Sequence, residues 1–171
     1  MKMLKGFVIA VFGLFVLITL LSLLLPSRIM IARSVDINAV PDSIRAQVAD
    51  LQRWKEWHPV FVNNNSITYS KIRQGKGAYA EWPSASGINR LEITAADSNV
   101  TRFTVGRTDM LPVENKITLL PSATGNVQVE WSSLTNLKWY PWEKFSGIFL
   151  EKITGAGYDS ALAALKRRCE N

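Results

Sequence analysis

The sequence predicts an α+β fold in which one curved antiparallel sheet covers a long C-terminal helix, with a membrane-spanning helix ahead of it. Three observations predict this. The stretch from Trp142 to Arg168 is the only long helical pattern after the N-terminus. Residues 67–136 read as successive period-2 strands separated by turn residues. Gly6 to Leu25 is an unbroken run of 20 residues without a charge.

The N-terminal run accounts for a hydrophobic content of 47%, more than a soluble domain needs. At about 1.5 Å per residue it spans about 30 Å, the thickness of a bilayer core. A cleaved signal peptide is the competing reading, but its apolar region would be shorter, and Leu23-Leu24-Leu25-Pro26-Ser27 offers no small-x-small cleavage site. We therefore expect residues 1–28 to form a tail, a single-pass transmembrane helix and a short joint, and residues 29–171 to form one domain. Lys2 and Lys5 precede the helix and Arg28 and Arg33 follow it, so the flanking charges tie. A short Lys-bearing tail that stays in the cytoplasm would place the domain on the extracytoplasmic side.

Net charge is +6, but Lys2, Lys5 and Arg28 supply three of these charges before any acid appears, which leaves +3 for residues 29–171. The basic residues are scattered rather than gathered on one element, which argues against a nucleic-acid partner. Cys169 is the only cysteine, so neither an intrachain disulfide nor a cysteine-rich metal site is available.

In chain order, Met30 to Ile37 reads as the first strand. Pro41 suits the first position of a helix over Asp42 to Leu51, where Ile44, Val48 and Leu51 share a face. Leu51 to Trp57 continues as one or two further turns, which Pro59 should stop. Strands follow over Ile67–Ile72, Gly77–Trp82, Asn89–Ala95, Asn99–Val105, Pro112–Leu120 and Asn126–Ser133, the last setting Val127, Val129 and Trp131 against Gln128, Glu130 and Ser132. Turn chemistry lies between them, at Gln74–Gly77, Ser84–Gly87, Ala96–Ser98 and Pro121–Gly125. In the C-terminal helix, Tyr158, Leu162 and Leu165 form one stripe, while Trp142, Phe145, Ile148, Phe149 and Ile153 form another nearly opposite it. The two halves are expected to bury different faces, with Gly155 and Gly157 bending the helix or dividing it in two.

The residues from Arg33-Ser-Val-Asp-Ile-Asn38 through Pro41, Val48-Ala-Asp50 and Trp54-Lys-Glu-Trp57-His-Pro59 resemble the START-like (SRPBCC) superfamily. Gly77-Ala-Tyr-Ala-Glu-Trp82, Val127-Gln-Val-Glu-Trp131 and Gly157-Tyr-Asp-Ser-Ala-Leu162-Ala-Ala-Leu165-Lys166 are similar to its polyketide cyclase/dehydrase and lipid transport-like branch. The similarity covers residues 29–168. The sequence departs from the usual pattern at Val40, which precedes a single proline, and at Ala161, where the branch often has Gly. The resemblance implies a helix-grip fold with a cavity between sheet and helix, and roles in binding lipids, aromatic polyketides or client proteins.

No catalytic constellation is visible. His58 is the only histidine, so any Ser-His-Asp relay would need it and no multi-histidine metal site exists; its plainer reading is a polar residue ending the Trp54–Trp57 segment. Glu81, Glu92 and Glu130 alternate with apolar residues and fall on the wet face of their strands. Phosphate-loop, nucleophile-elbow and cofactor motifs are absent, and no cofactor is expected. What the sequence supplies is aromatic surface. Trp54, Trp57, Tyr79, Trp82, Phe103, Trp131, Phe145 and Phe149 are candidates to line a ligand cavity, although many of them would equally serve as core. Trp139, Tyr140 and Trp142 beside Pro141 suit a membrane interface, where they would form one lip of the cavity mouth with Trp54 and Trp57 opposite. The leading function is a membrane-tethered binding module for a hydrophobic small molecule or lipid, held to the membrane through residues 6–25. A polyketide-cyclase-like enzyme and a protein-interaction or chaperone-like module stand beside it; a cavity too small for a lipid would favour the interaction module.

Overall fold

In the computed structural model, which describes residues 2–107, 110–122 and 125–171, the chain runs α1 (Lys2–Leu23), β1 (Arg28–Ile37), α2 (Pro41–Ala49), a 3₁₀ turn (Leu51–Glu56), α3 (Pro59–Val62), β2 (Thr68–Tyr69), β3 (Tyr79–Ser84), β4 (Gly87–Ala96), β5 (Val100–Arg107), β6 (Val113–Pro121), β7 (Val127–Asn136) and α4 (Pro141–Glu170). The seven strands form one antiparallel sheet in the order β1-β7-β6-β5-β4-β3-β2, with α4 laid across the β1–β7 side. This is the helix-grip arrangement: one curved sheet closed on one helix.

Parity decides what the sheet buries. Val127, Val129 and Trp131 of β7 are buried, while Gln128 is exposed and Glu130 half-buried on the outer face. Register carries the same inward face across Ile117 and Asn115 of β6 to Phe103 of β5 and Leu91 and Ile93 of β4. Glu81 and Glu92 lie on the outer face, both paired to Arg90, whose guanidinium covers the Tyr79 ring at 3.8 Å.

The helical turns over Leu51–Glu56 end ahead of Pro59 as expected, but Pro59 does more than stop them. It opens α3, with His58 as N-cap accepting the Val60 N–H at Nδ1 (3.3 Å), because a proline needs no donor at a helix's first position. The strand expected over Ile67–Ile72 contracts to two residues; the Ser70 N–H still bonds Tyr79 O (2.9 Å), but the Tyr79 N–H donates back to the Ser70 hydroxyl (3.0 Å) instead of to a carbonyl, so the ladder ends there. The Pro121–Gly125 turn lies partly outside the described residues, with Ser122 N–H meeting Asn126 O at 2.7 Å across it.

The C-terminal helix is not divided in two. It is a single element of 30 residues, continuous through Gly155 and Gly157. Its second half buries Ala161, Leu162 and Leu165 on the sheet, as the periodicity of that half requires. Its first half packs through Lys144, Gly147 and Gly155, while Trp142, Phe145, Ile148, Phe149 and Ile153 are exposed. The two glycines admit β1 beneath the helix. A Cβ on Gly147 would lie 2.6 Å from both Ile29 Cδ1 and Leu137 Cδ1, and one on Gly155 would meet the Arg33 guanidinium. Arg33 is held there between Asp159 (3.4 Å) and Glu151 (3.7 Å), one turn either side of Gly155.

Candidate functional site

A partly open cavity of about 280 Å³ lies between the sheet's inner face, α3 and the middle of α4. Its walls are Phe61, Trp82, Leu91, Phe103, Val105 and Trp131, with Leu150 and Thr154 from α4. Each side chain arrives there through the parity of its strand or the turn of its helix. Trp82 of β3 shares the inward face with Ala80, and Trp131 shares it with Val129, while Leu150 and Thr154 are a helical turn apart.

One end of the cavity is polar and closely ordered. Trp131 stacks on Tyr158 with ring centroids 4.3 Å apart, and its Nε1–H donates to Asn115 Oδ1 at 3.0 Å. An indole N–H can only donate, so Asn115 must present its oxygen there. That oxygen also accepts the Tyr158 O–H at 3.0 Å, and Asn115 Nδ2 donates to Val113 O at 3.0 Å. The Tyr158 proton is therefore committed, and its phenolic oxygen can face the cavity only as an acceptor. Ser133, two residues beyond Trp131 on the same face, lies beside Tyr158, yet its buried Oγ meets no partner in hydrogen-bonding geometry.

No aspartate, glutamate, lysine or arginine lines the cavity among the described residues. Its ionisable groups are His58 and Tyr158, and both are neutral at pH 7. Burial lowers the His58 imidazole to about 4, and burial raises the Tyr158 phenol above its ordinary value. His58 lies in an aromatic box, stacked on Trp54 at 5.1 Å with Trp131 at 5.6 Å and Phe61 at 5.2 Å.

Of the residues singled out from the sequence, Trp82, Phe103 and Trp131 meet at this cavity. Trp54 and Trp57 lie behind it in the packed centre, fully buried, their indole N–H groups donating to Val48 O (3.0 Å) and Gln47 O (3.3 Å). Buried indoles need such acceptors, and α2 supplies both, so the pair is in no position to form an exposed lip. Tyr79 faces out of the sheet beneath Arg90, because its parity is that of Glu81. Phe145 and Phe149 point away from the sheet, with Trp139 and Trp142 also exposed and Tyr140 stacked on Trp142 at 5.0 Å. Asn115, Ser133, His58, Leu150, Thr154 and Tyr158 were not singled out for the cavity. For Ser133 the signal was present: it continues the inward parity of Val127, Val129 and Trp131.

A sheet gripping one helix over an apolar, uncharged cavity defines a ligand-cavity architecture of the helix-grip class. The chain belongs to the polyketide cyclase/dehydrase and lipid transport family, whose sequence model matches residues 28–170. No curated protein matches it in sequence. Among solved structures, it is similar in fold to a Staphylococcus aureus protein of unknown function, with TM-score 0.63 and 10% identity over 84% of this chain and 95% of that one. Truncated norcoclaurine synthase from Thalictrum flavum gives 0.62 and 13% over 82% and 92%, and the Aha1 dimer from Colwellia psychrerythraea gives 0.56 and 15% over 83% and 96%. At such identities these likenesses concern the fold alone.

Proposed function

We propose that the chain is a membrane-tethered binding module whose cavity takes a compact, neutral, largely apolar molecule carrying one oxygen function. The observation that carries this reading is an aromatic cavity free of formal charge, whose one polar end is formed by Asn115, Ser133 and Tyr158, with the Tyr158 oxygen as acceptor. A carboxylate or phosphate would enter it without a counter-charge, at a cost several times that of burying a neutral polar group. Size sets the scale of the ligand. At about 30 Å³ per water, 280 Å³ corresponds to roughly nine waters, which suits one or two fused rings or one chain segment of a lipid; because part of a lipid still fits, the interaction module, which a smaller cavity would favour, gains no support from its size. Family membership supports an apolar ligand. The tether is α1, long and apolar enough to cross a bilayer.

Catalysis is the second reading, favoured by one observation: His58 lines the same cavity as a neutral imidazole whose Nδ1 accepts the Val60 N–H, which leaves Nε2–H as its donor. Fluorescence titration of the detergent-solubilised full chain with 2-naphthol and with 2-naphthoate at pH 7 tests the binding reading. The naphthol should bind at least tenfold tighter than the naphthoate, and Val113→Trp, which fills the cavity from β6, should abolish its binding. Equal affinities, or naphthol binding untouched by Val113→Trp, would remove the proposal.

A further inference from the structure

We infer that the first half of α4 lies against the bilayer surface, with Trp142, Phe145, Ile148, Phe149 and Ile153 entering the lipid interface. These five side chains occupy one face over about 17 Å of helix and are 39% to 72% exposed. A soluble surface seldom leaves so much contiguous apolar area uncovered, and the face opposite already holds the sheet. The bilayer is the occupant because the stripe begins where the apolar helix ends. Lys144, buried at 4% exposure, donates from Nζ to Leu25 O (3.1 Å) and to Ser27 Oγ. These bonds fasten the first turns of α4 to the exit of α1, and only four residues separate Leu23 from Arg28. A helix pinned to that point with its apolar face outward has the membrane surface as its nearest apolar phase.

The chemistry along the face agrees. Trp139 and Trp142, exposed at the α1 end, are amphipathic rings suited to the headgroup level. Lys152 is exposed between Phe145 and Ile148 around the helix and can extend its ammonium to lipid phosphates while its stem stays apolar. The neighbouring acids are turned away: Glu143 accepts the Lys138 N–H at 2.8 Å, and Glu151 pairs with Arg33. Beyond Ile153 the same face carries Ala156, Ser160 and Arg167, so the stripe ends while the helix continues.

This inference rests on the reading that α1 spans the bilayer, and its test separates the two. The full chain, with Cys169→Ser, is reconstituted into phosphatidylcholine–phosphatidylglycerol vesicles and labelled with an environment-sensitive fluorophore at one of Phe149→Cys, Ile153→Cys, Leu14→Cys or Lys116→Cys. All four positions are exposed, so labelling leaves the core intact. Labels at 149 and 153 should emit blue-shifted and be quenched by lipids brominated near the headgroup. The label at 14 should be quenched by lipids brominated deep in the chains, and that at 116 by neither. Water-like emission at 149 and 153 with position 14 quenched would overturn the docking and leave the anchor standing. A blue shift at 149 and 153 without lipid quenching would mean that a second copy or another protein covers the stripe, and would equally overturn it. Water-like emission at 14 as well would remove both readings.

Discussion

At Trp131, packing and hydrogen bonding converge on one side chain, and the two can be separated. The indole stacks on Tyr158, meets Phe103 at 5.8 Å and donates to Asn115. Trp131→Ala should cost about 3–5 kcal/mol, as buried aromatic truncations do. Trp131→Phe keeps a ring and loses only the donor, while Asn115 Oδ1 retains the Tyr158 bond; its cost should be about 1 kcal/mol beyond the change in ring size. Thermal unfolding of the solubilised chain distinguishes them, and equal losses would mean that the hydrogen bond dominates. His58 carries the second prediction at this scale. Its imidazole is lowered from 6.5 to about 4 in the folded chain, so between these values the unfolded chain binds more protons. The associated stability is complete above pH 6.5 and declines as pH falls toward 4, by about 2–3 kcal/mol. Measured against His58→Gln, which lacks this titration, the native chain should lose that extra stability between pH 7 and pH 4. Parallel profiles for the two proteins would refute it.

At the level of elements, α4 is seated by what its inner face lacks. A glycine in mid-helix costs about 1 kcal/mol relative to Ala, yet Gly155 lies where Arg33 passes beneath the helix between Glu151 and Asp159. Gly155→Ala should therefore recover less than its propensity gain, because the new methyl displaces the guanidinium from both carboxylates. In an Arg33→Ala background the same change should recover the full amount of about 1 kcal/mol. A double-mutant cycle by thermal unfolding measures the difference, and additivity would show that Gly155 has no coupling to Arg33. The C-terminal turns are tied in separately: Glu170 accepts the Asn38 N–H at 2.8 Å, and Arg168 bonds Glu56, joining the helix end to the residue just after β1 and to the 3₁₀ turn.

For the molecule as a whole, the sequence break between residues 25 and 28 sets the geometry. α1 is almost wholly exposed and offers its apolar surface to whatever surrounds it, whereas residues 28–170 carry the family's domain. With α1 as an uncleaved anchor, full-length protein should remain in the membrane pellet after alkaline carbonate extraction. Its release in soluble full-length form would contradict the anchor, and a mature chain starting near Ser27 would identify α1 as a signal sequence.

The fold class, the inward parity of β7, the placement of Leu162 and Leu165 and the length of α1 were legible in the sequence, because each depends on a short period read along one element. Proximity in space was not. The first half of α4 carried the louder apolar stripe, but the tertiary structure turned that stripe outward and packed the helix through Lys144, which bonds the exit of α1, and through Gly147 and Gly155, whose small size lets β1 approach. Trp54 and Trp57 read as one lip of the cavity mouth, and α2 drew them into the core by offering carbonyls to both indoles. Asn115 was an unremarked polar residue in a strand until register set it opposite Ser133 and within reach of Trp131 and Tyr158. Periodicity reports which face of an element is apolar; which face is covered depends on what other elements can bring against it.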